Sequence, residues 1–336
     1  MALGCSILAL TLLLAHALPW VSFRPVSRAV LPPAGEVLEG TAPFRFAVVG
    51  DSRGNMDVLE SILERMKADK ASLILHGGDL VSVCATDDFE WVLHELEEAQ
   101  IGVPFCAVPG NHDVAKGESD ANARCRLYSR SFGPRQYWFA YANALFVGLD
   151  TAASGCQSED LQWLDRTLAR LRDRYEACFV YTHTPPRDPR PNHSKQMEVG
   201  AEELARILKR HRVSALFASH IHSYLEDRVE GIPVYISGGG GATRAEPLGS
   251  YHYLLCSVEP GGAFRVEKKD VAREHSADYW EYELLVELPR RMGTVSLATL
   301  MAASILFSVL AGVARRRSRA SESQPREGAT GPATGC

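Results

Sequence analysis

The sequence predicts an α/β domain of alternating strands and helices with mainly parallel pairing. Three observations predict it. Short apolar, β-rich runs recur at 44–49, 72–76, 103–108, 145–149, 177–182, 213–219, 232–237 and 251–258. Between the earlier runs, apolar residues repeat with a helical period. Polar residues recur at the carboxyl ends of the runs, where open α/β sheets present their ligands.

The first run, in "FRFAVVGDSRGN", ends abruptly in Gly50-Asp51 and continues Ser52-Arg53-Gly54. Residues 56–67 then place Met56, Leu59, Ile62, Leu63 and Met66 on one helical face. The run in "SLILHGGDL" ends at Asp79, and "VPFCAVPGNHD" ends in Asn111, His112 and Asp113. Residues 159–172 align Leu161, Leu164, Leu168 and Leu171 as a second helix face. "ACFVYTHTPP" ends at His183, residues 201–211 form a third helical segment, and "VSALFASHIH" ends in His220 and His222. The later runs are closer together and predict antiparallel pairing. No internal repeat is present. One domain over 44–270, about 225 residues, is long enough for a full core.

Of the 336 residues, 46% are hydrophobic and 23% charged, with a formal net charge of -5. No basic face stands out, so nucleic acid is not an expected partner. The two ends differ in character. Residues 1–20, "MALGCSILALTLLLAHALPW", read as a signal peptide, with a signal anchor as the alternative. Residues 21–43, rich in Pro and Gly towards their end, read as a linker. Residues 271–292 mix aromatics with acids in the manner of a juxtamembrane segment. The stretch 293–314 has no charged side chain and is long enough for a helix to cross a ~30 Å hydrocarbon core. The basic, Ser- and Gly-rich tail 315–336 opens with "RRRSR", a flank expected to face the cytoplasm. The expectation is a membrane-anchored protein with its globular domain extracytoplasmic (periplasmic, lumenal or extracellular) and its tail cytoplasmic.

In such a setting disulfides are permitted. Cys106, Cys178 and Cys256 sit in apolar runs and read as buried thiols, whereas Cys84, Cys125 and Cys156 sit in loop-like sequence where one bridge is expected. Asn192 opens an "NHS" sequon, which matters only in a eukaryotic secretory route.

Asp and Asn oxygens with His nitrogens suit Mn, Fe or Zn better than Ca or Mg. Cysteine is absent from the set, which argues against a structural zinc cage. Taken singly, Gly-Asp is a turn, "GNHD" an Asx turn and a lone His a satisfied side chain. Five such endings in this order after apolar runs form a metal-ligating constellation.

That order resembles the calcineurin-like metallophosphoesterase superfamily, whose pattern runs D-x-H, GD-x-x-D, GNH-[DE], a lone His and GH-x-H. The corresponding pieces are "DSR" 51–53, "GDLVS" 78–82, "GNHD" 110–113, "THTPP" 182–186 and "SHIH" 219–222. The resemblance, to bacterial-type exported members, covers about residues 44 to 268. It implies a four-layer αββα sandwich of two mixed β-sheets flanked by helices, to which the C-terminal transmembrane helix is added. It further implies that Asp51 and His222 hold a first metal, that Asp79 bridges, and that Asn111, His183 and His220 hold a second. His112 would stand beside the leaving group or transferred phosphate as hydrogen-bond donor or acid.

Two positions depart from the pattern. Arg53 replaces a first-metal histidine, and a guanidinium stays protonated and cannot be a ligand. It suits bidentate phosphate recognition instead. Ser82 replaces the second acid of GD-x-x-D, which commonly orients the GNH histidine in relatives. The expected function is metal-dependent hydrolysis of a phosphate monoester, diester or pyrophosphate by metal-activated water, with Arg53 and His112 as catalytic and substrate-binding residues. One or two divalent ions are expected. The substrate is expected to be a phosphorylated small molecule or a lipid or envelope phosphate. The alternative is a catalytically impaired, membrane-anchored phosphate- or ligand-binding protein on the same fold.

Overall fold

The run Phe44–Val49 forms a strand in which every side chain but Arg45 is buried. Its alternation decides what each face meets. Phe44, Phe46 and Val48 enter a core between two sheets, while Ala47 and Val49 pack under helices. The strand Ala177–Tyr181 does the same: Ala177, Phe179 and Tyr181 face the inter-sheet core, Cys178 and Val180 the other helix layer. Strands buried on both faces read as continuous apolar runs, which is why they were legible in the sequence.

The computed structural model describes residues 32–242 and 250–272. One sheet has seven strands in the order β1 (Val37–Leu38), β5 (Tyr137–Tyr141), β6 (Ala144–Gly148), β7 (Ala177–Tyr181), β8 (Ala215–Ala218), β10 (Ile232–Ser237) and β9 (Tyr224–Val229). The other has five, in the order β12 (Phe264–Val271), β11 (Tyr251–Val258), β2 (Phe44–Val49), β3 (Ile74–His76) and β4 (Phe105–Ala107). Pairing is parallel among β2, β3 and β4 and among β6, β7 and β8, and antiparallel in the β9–β10 and β11–β12 hairpins. Both sheets are therefore mixed. Between them, Phe139 and Phe146 stack at 4.9 Å, and Phe46 meets Phe146 edge-on at 5.1 Å.

Helices α1 (Met56–Ala68) and α2 (Thr86–Glu98) cover the five-stranded sheet, followed by the short α3 (Ala121–Arg124) and α4 (Arg126–Phe132). Helices α5 (Ser158–Leu171) and α6 (Ala201–Arg210) cover the seven-stranded sheet. The result is the two-sheet sandwich with outer helices. In α1, Met56, Leu59, Ile62, Leu63 and Met66 are all buried, as their spacing requires. A capping box between Gln157 and Asp160 starts α5.

The sequence reading missed β1, β5, β9 and β12, and the helices α2, α3 and α4. Part of the segment expected to be a linker supplies β1, which pairs with Ala140 and Tyr141 of β5. The expected disulfide is not formed: Cys84, Cys125 and Cys156 are free thiols. They are kept apart by packing. Cys84 lies against the core under α1 and α2, Cys125 packs with Val114 and Ala152, and Cys156 belongs to the core under α5 and α6. Among the described residues no helix is long and apolar enough to cross a membrane. The stretches 1–20 and 293–314, on which the signal and transmembrane expectations rest, lie outside the described residues.

Candidate metal centre

The loops after β2, β3, β4, β7 and β8 meet at one edge of the sandwich. Asp51 (φ 60°), Arg53 (φ 52°), Asp79 (φ 57°) and His220 (φ 66°) all have left-handed backbone. Asp and His tolerate that region, whereas Arg does so at a cost of about 1–3 kcal/mol. A lattice of hydrogen bonds holds the turns. Asp51 N–H donates to the Gly78 carbonyl at 2.9 Å, Arg53 N–H to the Asp79 carbonyl at 2.8 Å, and His220 N–H to Asp51 Oδ2 at 2.8 Å. Gly50, just before Asp51, and Gly77, two residues before Asp79, are steric necessities. A Cβ at Gly50 or Gly77 would lie 2.0 or 2.1 Å from Ser219 Oγ, which is wedged between the two loops.

The imidazole of His183 is the meeting point. Its Nδ1–H donates to the Gly77 carbonyl at 2.8 Å, which leaves the Nε2 lone pair facing the centre. Nε2 lies 3.0 Å from Asn111 Oδ1, 3.1 Å from His220 Nδ1 and 3.5 Å from Asp79 Oδ1. Asp51, Asp79 and His183, all buried, each offer a ligand atom within 4.8 Å of the others. Asp51 Oδ1 is buried without a hydrogen-bond partner and lies 3.5 Å from His222 Nε2. Buried carboxylates are normally satisfied. An orphan oxygen beside converging imidazoles and a second carboxylate fits a divalent cation.

The electrostatics agree. Burial works against the Asp51 carboxylate, but His222, 3.5 Å away, and the charges of His183 and His220 outweigh it and hold the group below its ordinary range. Burial likewise opposes a charged His183, and Asp79 and Asp51 outweigh it and lift the ring above its ordinary value. His220 is pushed down to about 3 by burial and by His183, which keeps its ring in the neutral form that metal ligation requires of an imidazole.

His112 N–H donates to Asp79 Oδ1 at 2.8 Å, and His112 Nδ1–H to the Ser82 carbonyl at 2.8 Å. The main chain of residue 82 thus takes the place of the missing acid. Burial chiefly lowers the affinity of His112 for a proton, with Arg53 and Lys116 adding to it against Asp79 and the Ser82 carbonyl.

Three features escaped the sequence reading. Asp113 is buried in a turn, where it accepts Val81 N–H at 3.0 Å and Gly110 N–H at 2.8 Å. Burial, with Asp79 nearby, pushes its carboxyl up to about 7. His220 and His222 stand on a loop beyond β8. His76, fully buried at the end of β3, accepts Gly78 N–H on Nδ1 at 3.2 Å and so donates from Nε2 to Ser52 Oγ at 3.3 Å. Ser52 passes the chain to the Leu80 carbonyl at 3.2 Å. The glycine run 238–241 closes the back, with Gly240 N–H on the Gly50 carbonyl and Ala242 N–H on the Asp51 carbonyl.

The calcineurin-like phosphoesterase profile matches residues 44–224. The chain is 25% identical to purple acid phosphatase 22 of Arabidopsis thaliana over 230 residues, 61% of this chain and 51% of that protein. It is 27% identical over 172 residues to a probable glycerophosphodiester phosphodiesterase GpdQ of Arcobacter nitrofigilis, 46% of this chain and 57% of that protein. The chain thus spans about half the length of the curated relatives it matches. In fold it is similar to the purple acid phosphatase PPD1 of yellow lupin (Lupinus luteus) seeds, with TM-score 0.58 and 16% identity over 69% of this chain and 52% of that one. A dimetal phosphatase from Danio rerio gives TM-score 0.53 and 16% identity over 69% of this chain and all of that one.

Proposed function

The chain belongs to the calcineurin-like phosphoesterase family, and on that premise we propose that it is a metal-dependent phosphoester hydrolase. Its centre is then built by Asp51, Asp79, Asn111, His183, His220 and His222. The observation that carries this reading is the convergence of Asn111 Oδ1, His220 Nδ1 and Asp79 Oδ1 within 3.0–3.5 Å of His183 Nε2.

A divalent Mn, Fe or Zn ion, when bound, supplies Lewis acidity towards phosphoryl oxygens and a water nucleophile at neutral pH. The chain's own groups do the rest. Gly77 fixes the tautomer of His183, and Asp51 Oδ2 is tied to His220 N–H, so the donor atoms need little rearrangement. Arg53 offers a fork of donors to phosphate oxygens. His112 spends its Nδ1–H on Ser82, so a second N–H, on Nε2, exists only in the charged ring. A bound phosphate dianion favours that form, and the ring can then donate to the leaving-group oxygen.

The substrate is a phosphate monoester, diester or pyrophosphate. The apolar stretch 293–314 and its arginine flank anchor the protein with the domain extracytoplasmic, within reach of a small phosphorylated solute or of a lipid or envelope phosphate. The test is a phosphoester panel on the detergent-solubilised full chain, with membrane fractionation beside it. Turnover that a chelator removes and Mn, Fe or Zn restores is expected. Phosphate binding without turnover would support the impaired binder towards which Arg53 and Ser82 point, and neither would overturn both.

A further inference from the structure

We infer that this centre works with a single tightly held divalent ion, the Arg53 guanidinium serving as the second electrophile towards the phosphate. The inference rests on the hydrolase reading above and deepens it.

The donor atoms divide unequally. Asp79, Asn111, His183 and His220 gather around His183 Nε2 within 3.5 Å, enough to hold one ion without help. On the other side, among the described residues, only Asp51 and His222 are dedicated, and one Asp51 oxygen already accepts His220 N–H. The third dedicated position is Arg53, which contributes no lone pair. Anionic charge is equally short. Among the described residues, Asp51 and Asp79 are the carboxylates whose oxygens face the cluster, and Asp113 spends both of its own on Val81 and Gly110 N–H groups. Two carboxylates balance one dication. A second dication beside an arginine would bring several unit charges of one sign together in a largely buried site, where Coulomb repulsion is strong.

The main chain holds Arg53 in place. Its N–H is bound by the Asp79 carbonyl at 2.8 Å, and its own carbonyl accepts the Ser82 hydroxyl at 2.5 Å. The residue is thus tied at both ends to the loop that carries Asp79. A planar cation there binds two phosphate oxygens as a metal ion would.

The test is metal stoichiometry of the purified full chain after loading with Mn²⁺ and exhaustive dialysis, read by elemental analysis and by electron paramagnetic resonance. Wild type is expected to hold one ion per chain with an uncoupled spectrum. Arg53→His, which restores a nitrogen ligand, is expected to double the content and to give the spectrum of a spin-coupled pair. Arg53→Gln, which removes the charge without adding a histidine, is expected to stay at one ion and to raise KM for a phosphoester about tenfold. Two coupled ions in wild type would overturn the inference while leaving the hydrolase reading intact. So would an unchanged single ion in a folded Arg53→His protein. No retained ion in any form would overturn the hydrolase reading itself.

Discussion

The hydroxyl of Ser82 donates to the backbone carbonyl of Arg53 at 2.5 Å. The two residues that depart from the family pattern are thus joined to each other. The Ser82 carbonyl meanwhile accepts from His112 Nδ1 at 2.8 Å. One residue braces both groups proposed to face the phosphate.

Ser82→Ala should therefore act through Arg53 and not through the metal. Loss of one hydrogen bond is worth about 0.5–1.5 kcal/mol, which corresponds to a rise in KM of about 2- to 10-fold. Steady-state kinetics with an aryl phosphate, together with metal content, checks this. A fall in bound metal with KM unchanged would contradict it.

Asp79→Asn tests the centre with little structural cost. Asn, like Asp, tolerates the φ of 57° found there, and its oxygen can still accept His112 N–H. Turnover should nevertheless fall by more than the about 10- to 100-fold typical of losing an outer partner of a metal ligand. His220→Ala should do the same. Chelation of wild type should lower Tm as well as activity. An ion present at about 100 times its Kd stabilises by about 2.7 kcal/mol, or about 5–10 °C for a domain of this size. Full hydrolysis by folded, metal-free Asp79→Asn protein would remove the basis for the site.

His76 predicts a positioning effect. Burial drives the ring's pKa down to about 3, so it stays neutral and links Gly78 N–H to Ser52. His76→Ala would leave a cavity and an orphan N–H between the loops of Asp51 and Asp79. An unsatisfied buried donor costs about 1–3 kcal/mol. Together with the cavity this should lower Tm by about 5–10 °C and weaken metal affinity in titration. Asn at this position keeps an acceptor near Nδ1 and should recover part of both. Equal losses in the Ala and Asn variants would mean that only volume matters.

The parts of the fold and centre that were legible share a physical cause. Strands β2, β7 and β8 are buried on both faces and leave unbroken apolar runs, so their polar endings at Asp51, His183 and His220 stood out. Exposed strands did not: β9 and β12 alternate with Glu, Asp, Lys and Arg and look like loop. Helix α2 buries only Phe89, Val92 and Leu96 among its hydrophobic residues, in a strongly acidic stretch, and its period was hidden. His76 was lost inside the apolar run that it terminates. The inward turn of Asp113 was not legible, because the strand before it ends at Ala107 and the turn redirects it. Cysteine pairing was illegible because it depends on which packing cluster each loop enters.

Asp188 supplies a pH dependence that lies away from the proposed ligands. The Arg190 side chain binds its carboxylate at 2.8 and 3.0 Å, and the N–H groups of Arg190 and Lys195 add two further bonds at 3.1 Å. Against burial, these hold its pKa down to about 2 from an ordinary 3.8. A depressed folded-state value means that the unfolded chain takes up the proton first. The stabilisation is thus fully present above about pH 4 and lost as the pH falls towards about 2. Thermal denaturation of wild type and Asp188→Asn should accordingly show a gap in Tm at pH 6 that closes by about pH 2. A gap that persists unchanged in acid would mean that the loop is held by packing alone.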